Sequence, residues 1–279
     1  MTAVESVKQL LVLGCVALLA SGYATSRSRE ASRNRPATIQ AMRMPFIIGD
    51  TNVHVLMYQH GRPSPTFLNV HDDENTAVEA GKAVIDETCG RLIELAHSGK
   101  RHLRFQVDGE NYAVDPNRIF SDAGIRATLE RQGRYSSGAH WAVERFARQF
   151  LERFALTREP VIVALHNTVD GNYSIESYRP GAQHAAAAAD LHINPARSRF
   201  DFFYVTDRRF FDYLKQRDFN VVLQNNTNVP DDGSLSVYCA TKGIPYLNVE
   251  TELGQLDRQI EMVRAARELV DELDLVKRR

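Results

Sequence analysis

The chain has 279 residues, 43% hydrophobic and 25% charged, which fits an ordinary globular protein of one large α/β domain or two small ones. Its formal net charge is -1, which excludes a global basic field of the kind that recruits nucleic acid. Acidic substrates would have to be captured locally.

Lys8 is followed by an apolar run from Leu10 to Ala20, broken only by Gly14, and then by the mostly small stretch Ser21-Gly22-Tyr23-Ala24. The run is short for a membrane span. It reads as a signal peptide over residues 1–24, cleaved after Ala24, and predicts a periplasmic or secreted protein. An uncleaved membrane anchor is the alternative, and Val12-Leu13-Gly14-Cys15 is a weaker, lipoprotein-like signal. Cleavage removes Cys15 and leaves Cys89 and Cys239, which spacing alone neither pairs nor assigns to a metal. Residues 25–44 carry Arg27, Arg29, Arg33, Arg35 and Arg43 against Glu30 alone. They read as a Ser/Arg-rich linker, with an organelle transit peptide as the competing reading.

From Pro45 onward, short apolar runs alternate with helical patterns. Strands are predicted over Phe46–Ile48, Val53–Tyr58, Thr66–Val70, Leu92–Leu95, Leu103–Val107, Val161–Leu165, Phe202–Val205, Val221–Leu223 and Tyr246–Val249. Helices are predicted over Thr76–Glu87, Ala123–Gln132, His140–Phe154, Arg208–Lys215 and Leu256–Val276. In the last of these, Ile260, Val263, Leu269, Val270 and Leu273 recur near helical period, so it should cover one sheet face. Residues 45–279 are thus expected to form a single α/β domain, with a central mixed, largely parallel sheet flanked by helices.

Four motifs carry chemistry. His71-Asp72-Asp73-Glu74 leaves the strand ending at Val70, and His166, in Leu165-His166-Asn167-Thr168, leaves the strand ending at Leu165. Both lie where ligands bind in open α/β sheets. Two His and one Glu form a ligand set for catalytic zinc, which lowers the pKa of a water and polarises a carbonyl. His71, Glu74 and His166 are therefore the candidate ligands of one zinc ion. His54, His60, His97, His102, His140, His184 and His192 are read as surface or structural, and Asp72 and Asp73 as a solvated loop.

Asp115-Pro116-Asn117-Arg118 offers a planar guanidinium fork and a neutral donor for a substrate carboxylate. Asp115 is placed behind Arg118 as its orienting partner; an Asp-Pro turn with a surface arginine is the bland alternative. Asn248-Val249-Glu250 closes a turn-and-strand segment. Glu250 is the candidate general base, since burial raises a carboxylate pKa toward that task. Glu252 is its rival, and a salt-bridged strand-end Glu is the structural alternative.

This ordered set resembles the zinc carboxypeptidase superfamily, in its aspartoacylase and succinylglutamate desuccinylase branch, over about residues 66 to 252. The family's His-x-x-Glu is matched by His71 and Glu74. Its Asp-x-Asn-Arg segment is matched by Asp115, Asn117 and Arg118, its strand ending in His by His166, and its late catalytic acid by Glu250. The Asp232-Gly233-Ser234-Leu235 stretch also resembles the approach to that acid. The resemblance implies zinc on His71, Glu74 and His166, a carboxylate on Asn117 and Arg118, and Glu250 as base. Asp72-Asp73 departs from the family's Gly-Asn. A second substrate arginine has only candidates (Arg101, Arg104, Arg179), and so does a tyrosine near the scissile bond (Tyr173, Tyr178, Tyr238).

Together these readings predict a zinc-dependent hydrolase that cleaves a peptide or N-acyl amino acid amide near a free carboxylate. Its partner is a small carboxylate-bearing substrate or peptide, with no nucleic acid, and no membrane once the leader is removed. The alternatives are a non-catalytic zinc or carboxylate binder on the same fold and a metal-free interaction protein. No Gly-x-Ser-x-Gly elbow and no Gly-rich phosphate loop is present, which argues against a serine hydrolase and a nucleotide enzyme.

Overall fold

The computed structural model describes residues 39–168 and 173–275. The leader and most of the linker lie outside the described residues. Eleven strands follow in chain order: β1 (Gln40–Ile48), β2 (Thr51–His60), β3 (Thr66–Asn69), β4 (Gly90–Ala96), β5 (Leu103–Val107), β6 (Glu110–Val114), β7 (Ile162–Thr168), β8 (Ala188–His192), β9 (Phe202–Val205), β10 (Val221–Gln224) and β11 (Tyr246–Glu252). Six α-helices of the described residues lie among them: α1 (Asn75–Glu87), α2 (Asp122–Arg131), α3 (Ser137–Arg153), α4 (Arg208–Gln216), α5 (Leu235–Lys242) and α6 (Leu256–Glu272). Residues 40–44 correct the linker boundary: they belong to β1, paired with β2 from Gln40↔Gln59 onward. No described helix is long and apolar enough to cross a membrane.

Nine strands form one mixed sheet in the order β1-β2-β4-β3-β7-β11-β9-β10-β8, and β5 and β6 form a separate ribbon. Parallel pairing joins β4 to β3, β3 to β7, β7 to β11 and β9 to β10. The other four pairings are antiparallel, so parallel pairing is half of the total rather than most of it. The central strands are covered on both faces, as their near-continuous apolar runs require: β3 and β7 are buried throughout, and β11 through Thr251. One face packs on α1, α4 and α6, through residues such as Val84, Phe210 and Val263. The other packs on α2, α3, α5 and the β5–β6 ribbon, through Leu129, Phe146, Leu235 and Phe105.

Period-2 alternation along β7 and β11 then sorts side chains between the two faces. Leu165, Leu247 and Val249 enter the α1/α4/α6 core. His166, Thr168, Tyr246, Asn248 and Glu250 border an open cavity on the other side.

Candidate metal centre and substrate cavity

His71 lies two residues past the end of β3, and Glu74 is the N-cap residue of α1. An N-cap side chain ordinarily accepts a bond from the first turn of its own helix, but Glu74 makes no such bond. Asn167 serves instead: its Oδ1 accepts from the Ala77 N–H at 2.9 Å, while its Nδ2 donates to the Thr251 carbonyl and to Gln259. That substitution releases the Glu74 carboxylate to turn toward the histidines. Its oxygens lie 2.8 Å from His71 Nδ1 and 2.8 Å from His166 Nδ1.

The two imidazoles, 95 positions apart in the chain, come together with their Nδ1 atoms 3.1 Å apart. His71, Glu74 and His166 are all buried, and their ligand atoms lie within 4.8 Å of one another, a group able to hold a metal ion. No other described histidine joins it. Asp72 is no ligand: one of its oxygens accepts the backbone N–H groups of His97, Ser98 and Gly99, which ties down the loop after β4.

Asp115 corrects one expectation. Its carboxylate does not orient Arg118 but accepts from His71 Nε2 at 2.9 Å, and it also caps the turn Pro116–Arg118 through the Asn117 N–H. A carboxylate on one ring nitrogen fixes the tautomer and leaves the other as a lone-pair donor. Neutral His71 therefore presents Nδ1 as an acceptor to a carboxylate and a second Nδ1, and such a convergence is satisfied by a cation. Without a metal it is satisfied by a proton. Burial depresses His71, but Glu74 and Asp115 outweigh burial and hold the imidazole up to about 9. Glu74 is raised by burial yet held well below the usual carboxylate range by the two imidazoles.

Glu250 sits on β11, 5% exposed and in register with His166 on β7. Thr168 Oγ1 donates to its Oε1 at 2.9 Å, and Asn248 Nδ2 donates to its Oε2 at 3.2 Å. Burial raises its pKa and Glu74 adds to the rise, against His166 and the two donors. Glu252, though on the same strand, is half-exposed and faces Arg258.

Asn117 and Arg118 border the same cavity of about 600 Å³ as the metal cluster and Glu250. Asn117 Oδ1 accepts from the Leu235 N–H, which leaves its amide nitrogen uncommitted among the described residues. Arg118 Nε lies 3.5 Å from Asp232. Of the arginines weighed from the sequence, Arg101 borders the cavity, with Nη1 2.8 Å from Glu74. Arg179 is exposed and paired with Glu176, and Arg104 is absent from the cavity wall. Tyr173 and Tyr178 border the cavity and Tyr238 does not; His184, read as surface or structural, also lines it. Thr168 and Asn248 were missed as functional residues, although each stands two positions from a candidate and so shares its strand face. Cys89 and Cys239 are both free thiols.

No family model and no curated protein matches the chain. Solved structures similar to it include an aspartoacylase family protein from Mesorhizobium loti, at 14% identity over 88% of this chain and 70% of that one, with a TM-score of 0.43. The murein-tripeptide amidase MpaA from Escherichia coli O157 is 14% identical over 75% of this chain and 82% of that one, with a TM-score of 0.40. A metallo-carboxypeptidase from Pseudomonas aeruginosa is 12% identical over 88% of this chain and 68% of that one, with a TM-score of 0.43. The likeness is distant in each case, and the chemistry of the site rests on this chain's own side chains.

Proposed function

We propose that the protein is a zinc-dependent hydrolase that cleaves an amide bond, in a peptide or an N-acyl amino acid, near a free carboxylate. The observation that carries this reading is the Asp115–His71 bond. It turns Nδ1 inward, where His166 Nδ1 and the Glu74 carboxylate already converge. Two imidazole nitrogens and one carboxylate are the donor set of a catalytic zinc that keeps a position open. His71, Glu74 and His166 would hold the ion, which when bound supplies Lewis-acid polarisation and a more acidic water.

The remaining steps belong to the chain. Arg118 and Asn117 take the substrate carboxylate, so the amide is oriented before reaction. Glu250, kept basic by burial and held by Thr168 and Asn248, accepts the proton of the attacking water and returns it to the leaving nitrogen. Arg101, beside Glu74, puts a fixed positive charge near the developing oxyanion. With the N-terminal segment read as a cleaved leader, the substrate is met in the periplasm or outside the cell, which favours peptides, cell-wall peptide stems among them, over cytoplasmic N-acyl metabolites.

The test is metal analysis of the gently purified protein, followed by a screen of N-acyl amino acids and short peptides with and without a zinc chelator. Stoichiometric zinc and chelator-sensitive release of a carboxylate-bearing product are expected. Stoichiometric zinc with no turnover would leave a non-catalytic binder, and absence of zinc would remove the metal reading.

A further inference from the structure

Of the motif Asn248-Val249-Glu250, the proposed mechanism gives Asn248 only the task of holding the base. Its amide nitrogen is committed to Glu250 Oε2. A carboxylate accepts and does not donate, so that contact fixes which way round the amide lies. Among the described residues the amide oxygen is left buried with no partner, in a residue that is 8% exposed and borders the substrate cavity. A buried acceptor left unpaired is costly, and a donor brought by a ligand removes the cost.

The surroundings narrow what that ligand carries. Asn248 is in register with Tyr204 on β9 and stands between Tyr246 and Glu250 on its own strand face. Tyr173 and Tyr178 complete an uncharged aromatic wall. Burial pushes the phenols of Tyr173, Tyr178 and Tyr246 up; Glu250 acts in the same sense and Arg118 against it. These rings therefore lie within electrostatic reach of both the carboxylate anchor and the base. Among the described residues that border the cavity, Glu74 is engaged by His71 and His166 and Asp232 lies beside Arg118, whereas Glu250 is held only by the neutral donors Thr168 and Asn248. A cationic side chain would take Glu250, the proposed base, as its counter-ion, and an anionic or aliphatic one brings no donor and leaves the Asn248 oxygen unpaired.

We infer that Asn248 is a specificity-determining residue, and that the carboxylate-bearing residue of the substrate carries an uncharged side chain with a hydrogen-bond donor, an amide or a hydroxyl. This rests on the reading of the site as a hydrolase that anchors a carboxylate on Arg118.

The test uses isosteric pairs that differ in the donor: N-acetyl-asparagine against N-acetyl-leucine, and N-acetyl-tyrosine against N-acetyl-phenylalanine. Binding to the zinc-loaded full chain is measured by calorimetry and turnover separately. The donor-bearing member of each pair is expected to bind more tightly by about tenfold or more, the factor that one unpaired buried acceptor represents. In Asn248→Leu the ratio should fall to near one, even where loss of the bond to Glu250 slows both members alike. Should that variant fail to fold, the ratios of the unmodified protein decide alone. A ratio near one in both pairs overturns the inference while turnover keeps the hydrolase. A clear ratio without turnover of either pair or of the peptides keeps the inference and removes the hydrolase. Absence of binding by all four overturns both.

Discussion

Glu250 and His166 face each other in register across the parallel ladder between β11 and β7. The pairing places a carboxylate on one strand beside an imidazole that points at Glu74 on the next. Among the described residues Glu250 makes no hydrogen bond to His71 or Glu74; its bonds go to Thr168 and Asn248. Base and ligand set are thus neighbours without sharing atoms. Glu250→Gln, which keeps shape and removes the base, should cut hydrolysis by on the order of 10²–10⁴-fold. Metal content, measured by elemental analysis on the same preparation, should be unchanged. Turnover within a few-fold of the unmodified enzyme would take Glu250 out of the mechanism.

Thr168 tunes that base. Its hydroxyl favours the ionised form of Glu250, against the burial that favours the neutral one. Thr168→Val removes the donor, so the acid limb of the kcat/KM profile should move to higher pH. A limb that stays in place, or moves down, would show that Glu250 does not set it. The same shift bears on stability. Because the folded pKa of Glu250 is raised, its neutral form is the favoured one, and this contribution is lost as pH rises from the ordinary carboxylate range through the raised value. In metal-free protein, the Tm of Glu250→Gln minus that of the unmodified chain should therefore grow with pH over that window. A difference that is flat or shrinks with pH counts against a raised carboxyl at this position.

Asp115 acts on the metal through His71. Removing its charge with Asp115→Asn weakens the hold on the imidazole without deleting a ligand. Zinc affinity should fall by roughly 10–100-fold, the usual scale for such outer contacts, when measured by competition with a chelator. At saturating zinc most of the activity should return. His166→Ala, by contrast, removes a ligand and should abolish both stoichiometric zinc and turnover at any practical metal concentration. Equal zinc affinity in Asp115→Asn would mean that the His71 tautomer is fixed by something other than this bond.

The parts of this site that the sequence made legible are the local ones. His71 and Glu74 announce themselves by spacing, since one tight turn carries both. The strand runs leading to His166 and Glu250 are apolar enough to be read directly, although both strands continue past the residues at which they were expected to end, to Thr168 and Glu252. The Asp115–His71 bond spans 44 positions and depends on where the turn after β6 docks, which no local pattern reports. β8 was missed because Ala188-Ala189-Asp190-Leu191-His192 has little strand propensity; pairing with β10 at the sheet edge decides it. α5 was missed because Val237, Tyr238 and Thr241 favour strands, and only the left-handed Gly243 just after it marks a helix end. β6 was missed because only Tyr112 and Val114 of its five residues are buried, too few to make an apolar run.

The carboxylate anchor depends on a contact between two glycines. Gly124, in the first turn of α2, and Gly233, just before α5, approach so closely that a Cβ on Gly124 would lie 2.3 Å from Gly233 Cα and 2.7 Å from the Arg118 carbonyl oxygen. Gly233 also has a φ of +74°, which an L side chain rarely adopts, and its carbonyl accepts from the Phe120 N–H. The loop bearing Asp232 is thereby clamped onto the segment bearing Asn117 and Arg118, with Asn117 Oδ1 bonded to the Leu235 N–H. Backbone on both sides leaves no flexible group to yield, so Gly124→Ala must part the two segments. The cost should be about 1–3 kcal/mol, the scale of overpacking in a filled interior, read as a lowered Tm. The separation also moves Asn117 and Arg118 relative to the metal cluster, so KM for a carboxylate-bearing substrate should rise by more than kcat falls, with zinc content unchanged. A variant that loses stability but keeps KM would show that the clamp supports the fold alone and that the carboxylate is held elsewhere in the cavity.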